Sequence, residues 1–594
     1  FCVVVGLAKL QSLQVLDVSH TEFNHHGLEI VVEDLPCLRC LNISATRVRD
    51  LTPLRKCKDR LRSLSMYNLR SSSGGCEEFV PILTELNSLI YLDISDDRDN
   101  PLDMLTPLQD CTTQILKQPQ CFTRLTSLDL SGKDGIDIKE LKRFISYKQQ
   151  KNCESLKFLG LMQTSLRDEE LVFNDSELVI TGNATESQII ESLRRYKLRP
   201  TFVQKSLFHL YNYTSNYSEP RTDLIHLIII PMKRHSKIIG IQMAATACLY
   251  NLTKNKLGEK IHPKILKNVV EATLQAMEQF PNHQQLQKNA LLTLCSDRIL
   301  QDVSFNRYKC TQLVMDSLVG FKDTAMNRMA VAICSILAAK ISTTETSNLG
   351  AKPIYMETLL DIVRSRVQYA SDHDIMLKFT LSALWNLTDE SPKTCEMFLE
   401  KGGMDLYLTV LNTFVGQSAV ETKVLGLLNN IAEVSYLRNN LMKPQFLTVL
   451  RGLMRSPQID VSYFAAGIFA HLCCDGIKCW TFNLIGLNTI LEELVNVVLN
   501  WKTPEIEMVA YRSFLPFLPL LNCFESPAVQ LWAIWAIHHV CSKNPKRYCE
   551  MLLEESGAQT IKTIYENSKP DENESLKSLC GQTLEVIKKE YPNF

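Results

Sequence analysis

Two repeat arrays in series, an α/β array followed by an all-α one, are what the sequence predicts, on three observations. A Leu-x-x-Leu-x-Leu pattern recurs through the first 170 residues, a Leu-aromatic-Asn core recurs from Leu210 onward, and strand-like alternation does not return after the second pattern begins. The first pattern runs Leu13, Leu16, Val18; Leu38, Leu41, Ile43; Leu61, Leu64, Met66; Leu89, Leu92, Ile94; Leu125, Leu128, Leu130; and Leu156, Leu159, Leu161. Its units step by 25, 23, 28, 36 and 31 residues, the spacing of leucine-rich repeats. The alternating part places a short strand of a parallel sheet in each unit, with Leu inward. The long steps predict inserted exposed loops, such as Pro101 to Gln120.

A polar stretch from Asn174 to Ser187 ends that series, and Thr185 with Gln188 has capping-box spacing for a first helix. The helical cores then read Leu210-Tyr211-Asn212, Leu249-Tyr250-Asn251 and Leu384-Trp385-Asn386, with weaker copies between and beyond. Aligned on the Asn column, positions 212, 251, 293, 336, 386, 430, 471 and 536 step by 39, 42, 43, 50, 44, 41 and 65. An all-helical unit near that length is of armadillo or HEAT type, and Phe398 to Gly403 resembles the armadillo interhelical turn. The 65-residue step predicts one degenerate unit around Val509 to Leu521. The predicted organisation is therefore an α/β leucine-rich repeat solenoid over residues 1–170, a linker over 171–185, and an all-α armadillo-like repeat superhelix over 186–594. Units that cannot bury their apolar face alone must stack, and stacked helices leave one long groove suited to extended peptides.

Composition narrows the function. Lys plus Arg is 64 against 65 Asp plus Glu, which disfavours a nucleic-acid partner. The best apolar run, Leu224 to Met232, is broken by His226 and Pro231, so no membrane span is expected. The 20 Cys are scattered, and the Cys37-x-x-Cys40 pair has no mate at zinc spacing; free thiols in a reducing cytoplasmic or nuclear compartment follow. Sequons such as Asn42-Ile43-Ser44 lie inside repeat cores, which agrees with that compartment. No P-loop, dinucleotide fingerprint, His-Glu-x-x-His or Gly-x-Ser-x-Gly elbow appears, so neither cofactor nor metal nor catalytic residue is expected. His538 and His539 point about 100° apart on a helix and do not suit one ion.

Three residues after the Asn column stand Ser215, Lys254, Ser296, Ala339, Asp389, Glu433, Cys474 and His539. Only two units, adjacent ones, pair an amide with a carboxylate: Asn386 with Asp389, and Asn430 with Glu433. Trp385 precedes one pair and Asn429 the other. Neighbouring helices pack about 10 Å apart, so these groups converge on one spot. Two nearby carboxylates call for a cation, and an α-ammonium has the three donors to satisfy them. Each residue also has an ordinary role available: Asn386 and Asn430 bound to neighbouring backbone, Asp389 in the lead-in to a helix capped by Ser391, Glu433 solvated, and Trp385 packed as core.

The order of the arrays, with Ala383-Leu384-Trp385-Asn386-Leu387-Thr388-Asp389, Leu427-Leu428-Asn429-Asn430-Ile431-Ala432-Glu433 and Phe464 to Leu472, closely resembles the Zyg-eleven/Zer-one family across essentially the whole chain. The resemblance implies a non-catalytic substrate receptor of a Cullin-2 RING E3 ubiquitin ligase, with N-terminal glycine degrons read by Trp385, Asn386, Asp389, Asn430 and Glu433. Asn429, His471 and Trp535 are expected as further groove contacts. It also implies Elongin B/C and Cullin-2 as partners through a segment N-terminal to the leucine-rich repeats. No such segment is legible here, and the opening Phe1-Cys2-Val3 lacks an initiator Met, so the chain reads as N-terminally truncated. The competing reading is a general armadillo scaffold or nuclear-import-type adaptor. It is disfavoured by the single complete Trp-Asn pair and by Lys254 in the acidic column.

Overall fold

A leucine every 23 to 36 residues becomes, in three dimensions, a ladder. The computed structural model describes residues 6–7, 9–69, 76–97, 111–150, 152–171, 173, 177–369, 373–481, 484–568 and 570–592. The chain forms two compact units, residues 1–304 and 305–594.

In the first unit seven three-residue strands form one parallel sheet in strict chain order. They are β1 (Val15–Asp17), β2 (Cys40–Asn42), β3 (Ser63–Ser65), β4 (Tyr91–Asp93), β5 (Ser127–Asp129), β6 (Phe158–Gly160) and β7 (Val179–Thr181). The register aligns Leu16, Leu41, Leu64, Leu92, Leu128, Leu159 and Ile180 in one row. Period-two geometry sends that row inward. There it packs on helices such as His25–Asp34 and Ile138–Lys148, within a core of Leu, Ile and Val. Six strands stand where the pattern placed them. The seventh lies inside the stretch expected as a linker (171–185), because Ile180 supplies the inward residue without the full leucine motif. The expected exposed loop from Pro101 to Gln120 also differs. Residues 101–110 lie outside the described residues, but Cys111–Leu116 is a helix with Cys111, Ile115 and Leu116 buried.

Thr185 caps the helix Glu186–Arg195 by accepting from the Gln188 amide, as its spacing predicts. Helices follow to the end of the chain, and no strand is found after Thr181 among the described residues.

In the second unit five long inner helices pack in chain order: Thr324–Ala338, Ile375–Thr388, Ser418–Glu433, Ile459–Cys474 and Pro527–Lys543. This is a helical repeat solenoid. Asp374 caps Ile375–Thr388 by accepting from the Leu377 amide, and Ser391 caps Pro392–Glu400. The turn between Pro392–Glu400 and Gly403–Thr413 needs its glycines. Gly402 has φ +75, and a Cβ on Gly403 would lie 2.5 Å from the Phe398 ring. The 65-residue step does not hold a degenerate helical unit. After the helix Leu487–Asn500, residues 501–514 carry no regular structure, and only short turns at Leu515–Phe517 and Leu518–Leu521 precede the next inner helix. Pro504, Pro516 and Pro519 each remove a backbone donor, which disfavours a long helix there.

Candidate functional site: an acidic pocket between neighbouring repeats

The Asn column is first of all mortar. Asn386 Nδ2 donates to the Ser335 carbonyl at 2.9 Å, and Asn430 Nδ2 donates to the Trp385 carbonyl and Thr388 Oγ1, both at 3.1 Å. Each amide thus ties its helix to the preceding inner helix, the backbone role weighed above. The first unit repeats the device, with Asn251 Nδ2 donating to Thr214 Oγ1 at 3.1 Å. Committing Nδ2 orients each amide and leaves its Oδ1 as an acceptor.

Trp385, Asn386, Asp389, Asn429, Asn430 and Glu433 line one cavity of about 290 Å³. The indole of Trp385 stands edge-on to Phe464, with ring centroids 5.2 Å apart. Its seat exists because residue 426 is glycine: a Cβ there would sit 2.4 Å from Trp385 Cε2. Asn429 Nδ2 donates to Glu433 Oε1 at 2.8 Å, so the second amide of the Asn-Asn pair holds the carboxylate.

Three carboxyl groups, Asp389, Glu390 and Glu433, line the cavity together with Arg512 and Arg547. Burial, then the charges of Asp389 and Glu390, push the Glu433 carboxyl up to about 8, with Arg438 and the Asn429 amide only partly offsetting them. Asp389 is also raised by burial, opposed by Arg512. Glu390 is raised by burial and by Asp389, and its φ of 50 puts it in the left-handed region, uncommon for a residue with a Cβ.

Two residues expected as further groove contacts, His471 and Trp535, do not line this cavity. His471 is buried at 1% exposure, edge-on to Trp532, and burial followed by Arg438 lowers it to about 3. It is a neutral core histidine, because inner-helix residues of the Ile459–Cys474 unit are covered almost completely. Trp535 is 8% exposed and packs on Trp501 at 4.8 Å and on His539 at 5.4 Å, away from the acidic cavity. Conversely, Glu390, Phe464 and the segment Met508–Ser513 line the cavity without having been expected. Glu390 follows Asp389 directly and was within reach of a charge count. The 508–513 segment carries no periodic signal.

Among the described residues no group of His, Cys, Asp and Glu suits a metal ion, and no helix is long and apolar enough to cross a membrane.

By class this is a helical repeat protein with a recessed pocket on its inner helices that gathers Asp389, Glu390 and Glu433. The family described as protein zer-1 homolog-like, C-terminal domain, matches residues 230–589, and the chain belongs to that family. Comparison over most of this chain agrees with the expected Zyg-eleven/Zer-one kinship. The human protein zer-1 homolog is 28% identical over 556 residues, covering 90% of this chain and 71% of the relative. The Caenorhabditis elegans Zyg eleven-related protein 1 is 27% identical over 595 residues, covering 98% of this chain and 62% of the relative. Among solved structures, a designed armadillo repeat protein is 16% identical, with a TM-score of 0.26, over 47% of this chain and 99% of its own.

Proposed function

We propose that this chain is the substrate-recognition part of a Cullin-2 RING E3 ubiquitin ligase, and that its acidic pocket binds the free N-terminal glycine of target proteins. The observation that carries the reading is the convergence of Asp389, Glu433 and the oriented amides of Asn386 and Asn430 on one small cavity. An internal precedent supports the chemistry. In the first unit the residue three after Asn251 is a lysine, and Lys254 Nζ donates to Asn251 Oδ1 at 3.2 Å. An ammonium on the column amide is therefore a contact this architecture already makes. Three residues after Asn386 and Asn430 stand carboxylates instead, Asp389 and Glu433; Arg512 meets Asp389 on one oxygen, and a ligand ammonium would supply the remaining positive charge.

In this mechanism Asp389 and Glu433 receive the α-ammonium, and each charge-assisted bond contributes about 1.5–3 kcal/mol. Asn386 and Asn430 accept from the ammonium or the first peptide N–H. Trp385, held by Gly426, walls the first residue so that a side chain is excluded and glycine is selected. The seven-stranded N-terminal sheet is read as a leucine-rich repeat solenoid. Elongin B/C and Cullin-2 are the proposed partners, no catalytic residue is assigned, and a cytoplasmic or nuclear location is proposed. Isothermal titration of a Gly-starting peptide against its N-acetylated twin tests the reading. Acetylation should cost at least about tenfold in affinity, the equivalent of one charge-assisted bond. Equal affinity would remove the ammonium from the mechanism.

A further inference from the structure

Residues 501–514 run as a strap across the inner helices of the second unit. The Met508 amide donates to His539 Nε2 at 3.3 Å on the helix Pro527–Lys543. The Tyr511 hydroxyl shares a hydrogen bond with the Tyr463 hydroxyl on Ile459–Cys474. Arg547 Nη2 holds the Tyr511 carbonyl at 2.8 Å. Arg512 then reaches furthest. Its Nε lies 2.8 Å from Asp389 Oδ2, its Nη2 donates to the Ala338 carbonyl at 2.8 Å, and its Nη1 to the Ile341 carbonyl at 2.9 Å. Every guanidinium nitrogen is engaged. Ala338 ends the helix Thr324–Ala338, so its carbonyl is one that no helical amide satisfies, and a cation there also meets the negative end of the helix dipole.

Arg512 therefore bridges from the strap to the repeat that precedes Asn386 and Asp389. It lies between Asp389 and the end of the helix Thr324–Ala338, whereas Glu433 stands on the repeat that follows Asp389. Planar geometry matters here: one guanidinium meets a carboxylate and two carbonyls at once, which a lysine point charge does not reproduce.

We propose that Arg512 is a specificity-determining residue: by tying the strap across the groove beyond Asp389 it makes the pocket blind, so that a chain end enters and a continuous chain does not. The inference rests on the reading of the pocket as a site for a terminal ammonium. Blindness, rather than the carboxylates alone, then separates a terminal glycine from the same glycine inside a sequence.

The test measures fluorescence anisotropy of three C-terminally labelled peptides. One starts at Gly, one is its N-acetylated twin, and one carries three extra residues before the same Gly. They are titrated against the wild-type chain, Arg512→Ala and Arg512→Lys. In the wild type the extended peptide should bind about a hundredfold more weakly than the free one, as steric and charge exclusion combine. In Arg512→Ala that ratio should fall to about tenfold, through a gain by the extended peptide, with Arg512→Lys between the two. Circular dichroism and thermal melts of both variants establish that they fold, and Arg512→Lys serves if the alanine variant does not. An unchanged ratio in a folded variant overturns the role of Arg512 while leaving the pocket standing. A wild type that binds free and acetylated peptides equally overturns the pocket itself, and this inference with it.

Discussion

Asp93 and Asp129 beside Arg199, and Asp389 and Glu433 near Arg512, are two pairs of carboxylates with opposite fates. In the first unit Asp93 and Asp129, both fully buried, share Arg199, whose Nη2 lies 2.5 Å from Asp93 and Nη1 3.7 Å from Asp129. Every remaining position is filled. Ser95 and Ser131 amides donate to the carboxylates, the Tyr196 hydroxyl donates to Asp129 at 2.8 Å, and the guanidinium lies 4.1 Å above the Tyr67 ring. Even the neighbouring strand position is glycine, since a Cβ on Gly160 would meet Asp129 Oδ1 at 2.0 Å. Burial acts against the charge on Asp93, but Arg199 and Ser95 outweigh it and hold its carboxyl below the ordinary range. Burial and Asp93 together raise Asp129. In the second unit Arg512 reaches Asp389 alone, Glu433 has only an amide, and a cavity adjoins both. The closed cluster is a structural joint; the unfinished one is where we propose that a ligand binds. The number of lone pairs left over, not the residue types, separates the two.

Four measurements break or sharpen that contrast. The largest effect should come from the closed cluster. Arg199→Met strands two buried carboxylates and should destabilise the first unit by about 3–5 kcal/mol in chemical denaturation followed by circular dichroism. Asp389→Asn keeps an oxygen that accepts from Arg512, so it should move melting far less than Arg199→Met, yet weaken a Gly-starting peptide by about 2–3 kcal/mol in titration calorimetry. A large stability loss there would make the pocket a second joint. Gly426→Ala changes no charge but forces its Cβ against Trp385; about 1–3 kcal/mol of overpacking should appear in the melt, with a shifted tryptophan emission and weaker peptide binding.

The smallest effect is the pH dependence. In the free chain Glu433, raised to about 8 and facing Asp389, Glu390, Arg438, Tyr463 and Tyr511, holds its proton at pH 7. An incoming ammonium expels that proton, so affinity should rise by up to about tenfold per unit as pH approaches 8. Above about 8 the ammonium itself deprotonates and affinity falls. Glu433→Gln should abolish the rising limb in anisotropy titrations from pH 6 to 9, and a wild-type profile without that limb would show Glu433 to be ionised before binding.

Much of this was legible in the chain. The row Leu16 to Leu159 and the Asn386–Asp389 and Asn430–Glu433 pairs follow from periods of two and of about 3.6, which are local properties of the backbone. His471 and Trp535, expected as groove contacts, are absent from the lining of the acidic cavity. Both lie on inner helices, but tight stacking buries them, and helical phase alone does not say how closely the next helix approaches. The seventh strand escaped notice because Ile180 carries the fold's requirement without its usual spelling.

What the sequence determined by itself is therefore repetitive: element type, unit length, and which side chains share a face. Those follow from interactions between residues a few positions apart. Tertiary structure alone decided that the strap crosses the inner helices, that Tyr511 meets Tyr463, and that Arg512 closes on Asp389 and the end of the helix Thr324–Ala338. The strap has no period to read. Its path is set by partners far apart in the chain, whose meeting depends on the stacked helices being in place.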